Sequence, residues 1–189
     1  MNWRMLAALC IFPAVVSAHE GVKHGSAAEA TAHKEQTEIQ TVAKLPAPAA
    51  LPFNLGGTFE LIDQNGVLRT QVDPEGQAQL LFFGYANCPS ICAVAMPMMA
   101  ELTDALAEDG HRVKPVLITV DPKRDTVATM GPALRNIHID FVGLTGSSDQ
   151  LAHVYGLFQV SHKKVAEDPE YGAIFAHGSH IYLLDGAGT

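Results

Sequence analysis

Two cysteines four residues apart stand where an apolar run gives way to a turn: Phe82-Phe83-Gly84-Tyr85-Ala86-Asn87-Cys88-Pro89-Ser90-Ile91-Cys92. On a helix, residues i and i+4 share a face and lie about 6 Å apart along the axis, so the two sulfurs can converge on a metal ion or close a disulfide. At a strand-to-helix junction the unpaired backbone N–H groups favour anions. That lowers a thiol pKa and supplies the thiolate needed for both metal binding and thiol exchange. A structural zinc site asks for four closed ligands at fixed spacing, and Cys88 and Cys92 are the one close pair in the chain. Two thiolates joined by an imidazole suit Cu(I), which accepts soft donors and low coordination. The competing reading is a plain structural disulfide in a secreted chain. The position of the pair at the end of a buried strand, rather than on a peripheral loop, favours a functional pair.

The third donor has to come from elsewhere. The best stretch is Phe175-Ala176-His177-Gly178-Ser179-His180-Ile181-Tyr182, where two histidines precede a strand that could lie beside the cysteine turn. His111, His138, His153 and His162 are read as satisfied polar residues. Met96, Met98 and Met99 are soft enough to suggest a copper relay, but methionine at helical spacing is read as core filler.

Elements that would hold these residues follow from hydropathy. Phe59 to Asp63 followed by Gln64-Asn65-Gly66 reads as a strand entering a tight hairpin. Gln79 to Tyr85 is continuously apolar, as expected for a central strand covered on both faces. Leu102 and Leu106 place a helix over Met99 to Ala107, and Pro97 should kink it or delay its start. Val116 to Val120 is a second buried strand. Thr126 to Arg135 reads as a helix interrupted near Gly131-Pro132. Phe141 to Leu144 is a third strand, Ser147 or Ser148 caps a helix running to Phe158, and Ile181 to Leu184 is a last strand before Asp185-Gly186-Ala187-Gly188. Strands alternating with helices predict an α/β fold with a central sheet flanked by helices.

The chain has 189 residues, 48% of them hydrophobic, with a formal charge of −8. That length allows one domain with a real core. The charge, without a Lys/Arg-rich run, excludes a phosphate-tracking surface, so nucleic acid is not expected as a partner. Residues 1–18 have the shape of a secretory signal: a charge at Arg4, an apolar run from Met5 to Val16 that includes Cys10, and Val15-Val16-Ser17-Ala18 as the cleavage site. Twelve apolar residues containing Pro13 are too few to span a bilayer, so membrane attachment would arise only through an uncleaved N-terminal segment. Residues 19–51 are rich in Ala, Glu, Lys, Gln, His and Pro and lack aromatics, which predicts a flexible linker carrying His19, His24 and His33. Residues 52–189 form the folded domain, outside the cytoplasm.

Three segments in order resemble the Sco/SenC proteins, thioredoxin-fold copper proteins of cytochrome oxidase assembly. They are Phe82 to Tyr85 with Cys88-Pro89-Ser90-Ile91-Cys92, Ile118 to Pro122 with Arg124-Asp125-Thr126, and His177 followed by Tyr182-Leu183-Leu184-Asp185. The resemblance covers about Leu55 to Gly188 and implies a thioredoxin-like fold. In that family the copper-ligating histidine lies five residues before the strand tyrosine, which selects His177 over His180. The resemblance thus implies Cu(I) or Cu(II) held by Cys88, Cys92 and His177, with the same cysteines alternating with a disulfide. It further implies a periplasmic or otherwise extracytoplasmic metallochaperone that donates copper to cytochrome c oxidase subunit II or another copper-accepting protein. The alternative is a thiol–disulfide oxidoreductase that reduces the cysteines of such a partner. A peroxidase is disfavoured, because Tyr85-Ala86-Asn87 stands where a peroxidatic cysteine is preceded by Thr-x-x. Asp121 and Arg124-Asp125-Thr126 are expected to be turn and cap residues rather than ligands. Three positions depart from the family: Ser90 replaces Asp, Ala93 replaces Pro, and the sequence reaches Thr189 without the family's last strand and helix, predicting a C-terminally truncated sheet with an open edge.

Overall fold

The computed structural model describes residues 54–189. The expected signal, with Cys10, and linker, with His19, His24 and His33, lie outside the described residues.

Strand β3 (Ala78–Gly84) is the element from which the cysteine loop departs. Its continuous apolar run pairs on both edges and is buried on both faces. It belongs to a six-stranded sheet ordered β2-β1-β5-β4-β3-β8, built from β1 (Glu60–Asp63), β2 (Leu68–Thr70), β4 (Val113–Thr119), β5 (Val142–Thr145) and β8 (Ile181–Leu184). The β3–β4 and β4–β5 pairs are parallel, and the β1–β2, β1–β5 and β3–β8 pairs are antiparallel. β6 (His162–Asp168) and β7 (Gly172–His177) form a separate antiparallel ribbon.

Helix α1 (Cys92–Glu108) covers the Phe82 face of the sheet, where Cys92 and the Phe82 ring both crowd Gly84. α2 (Val127–Arg135) lies on that same face, its Met130 and Leu134 closing over Gly143, which is two strands from Phe82 through the Phe82–Leu117–Gly143 register. α3 (Ser148–Leu157) takes the opposite face, where Tyr155 and Phe158 pack edge-on or tilted against Phe83. Ser147 accepts the N–H of Gln150, and Gln150 answers at the Ser147 N–H, so a capping box starts α3.

Several expectations are corrected. α1 starts at Cys92 and is not delayed by Pro97, and α2 runs unbroken through Pro132. Each proline is the sixth residue of its helix and forfeits one i→i−4 hydrogen bond, while the apolar faces on either side stay buried. The buried face of α1 consists of Cys92, Ala95, Met96, Met99, Ala100 and Thr103, whereas Leu102 is 44% exposed. Met98, 51% exposed, is not core filler, although Met96 and Met99 are. The β6–β7 ribbon has no counterpart in the hydropathy reading. Among the described residues no helix is long and apolar enough to cross a membrane.

Candidate metal centre

Strand directions decide which loops meet at the cysteines. β4 runs parallel to β3 with Thr119 opposite Gly84, so the loop after β4 emerges beside the cysteine loop. β8 runs antiparallel with Ile181 opposite Phe82, so the residues just before β8 also reach this end of β3. His177 is thereby delivered from the end of β7 to the two sulfurs, the nearer of which in sequence, that of Cys92, lies 85 positions away.

The donor atoms of Cys88, Cys92 and His177 all lie within 4.8 Å of one another, the only such group of three among the described residues. His177 Nε2 is 3.2 Å from Cys92 Sγ. Nδ1 lies 2.9 Å from the Gly178 carbonyl, to which it donates, reserving Nε2 for the sulfurs. The Phe82 and Tyr85 rings stand edge-on to the imidazole at 5.8 and 5.9 Å between centroids and fix its plane. Cys92 is fully buried and Cys88 is 7% exposed, and both are free thiols. His180 is not part of the group.

The two thiols differ electrostatically. A hydrogen bond from Cys92, helped by His177 and Ser90, outweighs burial and holds the Cys88 thiol far below its ordinary range. Ser90 Oγ is 3.4 Å from Cys88 Sγ, so the serine that replaces the family's Asp still reaches this sulfur. Cys92 shares its proton with Cys88 and is buried, and both effects push its pKa up. For His177, burial favours the neutral ring, but the Cys88 thiolate and the Gly178 carbonyl prevail and raise its pKa. Burial raises the Tyr85 phenol to about 12, with the Cys88 thiolate adding to the effect. The cup therefore holds two unequal thiols, Cys88 the readier to ionise, beside a half-buried imidazole. Once both thiols are deprotonated it presents two soft donors and one borderline donor. This donor set fits copper.

Gly84 makes the cup possible, because a Cβ there would lie 2.9 Å from Cys92 Sγ and 2.8 Å from the Phe82 ring. The loop after β4 supports it from the side. Thr126 caps α2 as expected, but Asp121, Arg124 and Asp125 do more than turn the chain. Asp125, buried, accepts the Ala86 N–H at 2.9 Å and the Thr119 hydroxyl at 2.8 Å, and burial raises its pKa. Arg124 pairs with Asp121, lies over the Tyr85 ring and donates to carbonyls of the β6–β7 ribbon. The sequence marked Arg124 as part of a resembling segment and as a charge in a turn, with no signal for this clasp. A groove of about 620 Å³ lies away from the cysteines, between Thr58 to Glu60 and Asp149 to His153.

Residues 47–189 match the family model described as SCO1/SenC. A SCO2-like protein of Rickettsia felis is 38% identical over 137 residues, covering 71% of this chain and 66% of that protein. The mitochondrial SCO2 homolog of Bos taurus is 39% identical over 130 residues, 68% of this chain and 49% of its own length. The chain thus spans from about half to just under two thirds of these relatives. Among solved structures, Arabidopsis thaliana ScoI with copper bound superposes with a TM-score of 0.66 at 31% identity, covering 71% of this chain and 84% of that one. Bradyrhizobium japonicum ScoI with copper bound gives a TM-score of 0.64 at 36% identity, covering 71% and 85%. These neighbours have the expected thioredoxin-like fold.

Proposed function

The chain belongs to the SCO1/SenC family, and from that premise we propose that it is an extracytoplasmic copper metallochaperone in which Cys88, Cys92 and His177 hold the ion. Copper is cargo here, passed to cytochrome c oxidase subunit II or another copper-accepting protein. The supporting observation is the imidazole: His177 Nε2 sits 3.2 Å from Cys92 Sγ with Cys88 in the same group. A dithiol exchange site needs only the two sulfurs, whereas a third convergent donor serves a metal. Cys88 needs little energy to become a thiolate, since its pKa is already depressed, and Cys92 must lose its proton as the ion enters. An acceptor offering its own soft donors would take the ion by stepwise ligand exchange, approaching at Cys88, the less buried of the two cysteines.

The thiol asymmetry supports a second reading, thiol–disulfide exchange with a partner. The Cys88 thiolate would attack one sulfur of the partner's disulfide and release the other as a thiol. Cys92 would then break the mixed disulfide, oxidising this pair and reducing the partner's by two electrons. In this reading His177 is incidental, and the Cys92 proton goes to the partner sulfur released in that second step.

Anaerobic Cu(I) titration of the reduced chain against a competing chelator, beside His177→Ala, separates the two. The metallochaperone predicts one copper per chain and a large loss of affinity in the variant. No measurable copper affinity, with disulfide exchange intact in His177→Ala, would refute it in favour of the second reading.

A further inference from the structure

The two halves of the centre rest on different supports. Cys88 and Cys92 are rooted in β3 and α1, inside the six-stranded sheet and its core. His177 ends β7, in a ribbon that shares no strand pairing with that sheet among the described residues. A two-stranded ribbon is marginal by itself in water. Whatever ties it down therefore sets where Nε2 stands.

Aromatic packing supplies part of the tie. Phe175 meets Tyr85 at 5.8 Å and His162 meets Tyr155 at 4.5 Å between ring centroids, while the Phe175 N–H reaches the Tyr85 hydroxyl at a long 3.4 Å. Such contacts allow the ribbon to slide. The directional tie is Arg124, whose guanidinium donates to the Tyr171 and Ala173 carbonyls while its Nε holds the buried Asp121 carboxylate. The same guanidinium lies 5.2 Å from the centroid of Tyr85, the ring that also orients His177. Its neighbour in sequence, Asp125, fixes the cysteine loop through the Ala86 N–H. Two consecutive residues of one loop therefore grip the two halves of the centre. Gly172 lies between the two bonded carbonyls at φ +70°, and a Cβ there would come within 2.9 Å of Arg124 Nη1, so the ribbon turn is shaped around this side chain.

We propose that Arg124 is a positioning residue of the metal centre: by locking the β6–β7 ribbon to the Asp121–Asp125 loop it sets the distance from His177 to the two sulfurs without touching the ion. The proposal rests on the copper-site reading above, and it also makes a claim about the metal-free chain. Planar donors that reach two carbonyls and a carboxylate at once are a property of arginine; lysine carries the same charge but not the fork.

Two measurements on the reduced chain test it. In metal-free Arg124→Ala, amide hydrogen exchange should accelerate across Gly172 to His177 and stay unchanged in β3 and α1. In anaerobic Cu(I) competition, Arg124→Ala should lose about 10–100-fold in affinity, the range for outer-shell partners of ligands. The Arg124→Ala, His177→Ala double variant should then bind no more weakly than His177→Ala alone, and Arg124→Lys should fall between wild type and Arg124→Ala. Unchanged exchange in the ribbon, or losses that multiply in the double variant, would overturn the proposal. Should Arg124→Ala fail to fold, the same two readouts on Arg124→Lys decide it. If the wild type binds no copper, the site reading fails and hydrogen exchange still decides the clasp.

Discussion

Replacing Gly84 by alanine adds a single methyl group at the most crowded point of the cup. The backbone of Gly84 is not in the left-handed region, so the effect is steric alone. The new Cβ would lie 2.9 Å from Cys92 Sγ and 2.8 Å from the Phe82 ring, and each must retreat by about 0.5 Å to regain ordinary van der Waals contact. Neither has free space. Phe82 and Cys92 are both fully buried, and Phe82 also braces the His177 ring. Overpacking of this kind costs about 1–3 kcal/mol of stability. Metal–ligand distances tolerate only about 0.2 Å, so moving Cys92 by more than that should also weaken copper binding. We expect a loss of about 10–100-fold, or ~1.4–2.7 kcal/mol. Urea denaturation of the metal-free chain reads the first effect and anaerobic Cu(I) competition the second. A Gly84→Ala chain with wild-type midpoint and wild-type affinity would refute the reasoning that the cup is closed against a methyl group.

Met99, fully buried on α1, should cost about 2–5 kcal/mol on substitution by alanine. Its copper stoichiometry should remain at one, because a thioether in the core is not a ligand; denaturation and metal analysis check the two halves. Asp125 gives a pH signature. Its folded pKa is raised, so over a window above the unfolded value of about 3.9 the folded chain keeps a proton that the unfolded chain has released. Its contribution to stability therefore grows as pH falls from neutral and is lost as pH rises through the folded pKa. Asp125→Asn keeps an oxygen for both Ala86 N–H and Thr119 Oγ1 and removes this dependence, so the difference between wild type and variant should change with pH; urea profiles that stay parallel from pH 7 down to about pH 4, the unfolded value, would contradict it. Asp125→Ala leaves both donors without a partner and should cost about 1–3 kcal/mol at either pH.

Much of the site was legible locally. Cys88 and Cys92 are close in sequence, so helix geometry alone brings their sulfurs within reach of one ion. The apolar run of β3, the cap at Ser147 and the turn after Ile62-Asp63 are likewise short-range signals, and each element lies where hydropathy and capping place it. Leu102 shows the limit: period alone finds a helix, but which stripe faces inward depends on the sheet beneath it. The β6 strand, with its exposed Lys163, Lys164 and Glu167, carries no alternating pattern, because its partner is one other strand rather than a core.

By itself, then, the sequence determined the pair of thiols, the strand that ends beneath them and, through a family offset, the choice of His177 over His180. Only the tertiary structure decided that the imidazole would meet the sulfurs, since 85 residues of chain are closed by the antiparallel register of β8 on β3. It alone gave Arg124 and Asp125 their work. A turn residue acquires such a role from the backbone groups that distant strands present to it, and no local pattern encodes where those groups will be.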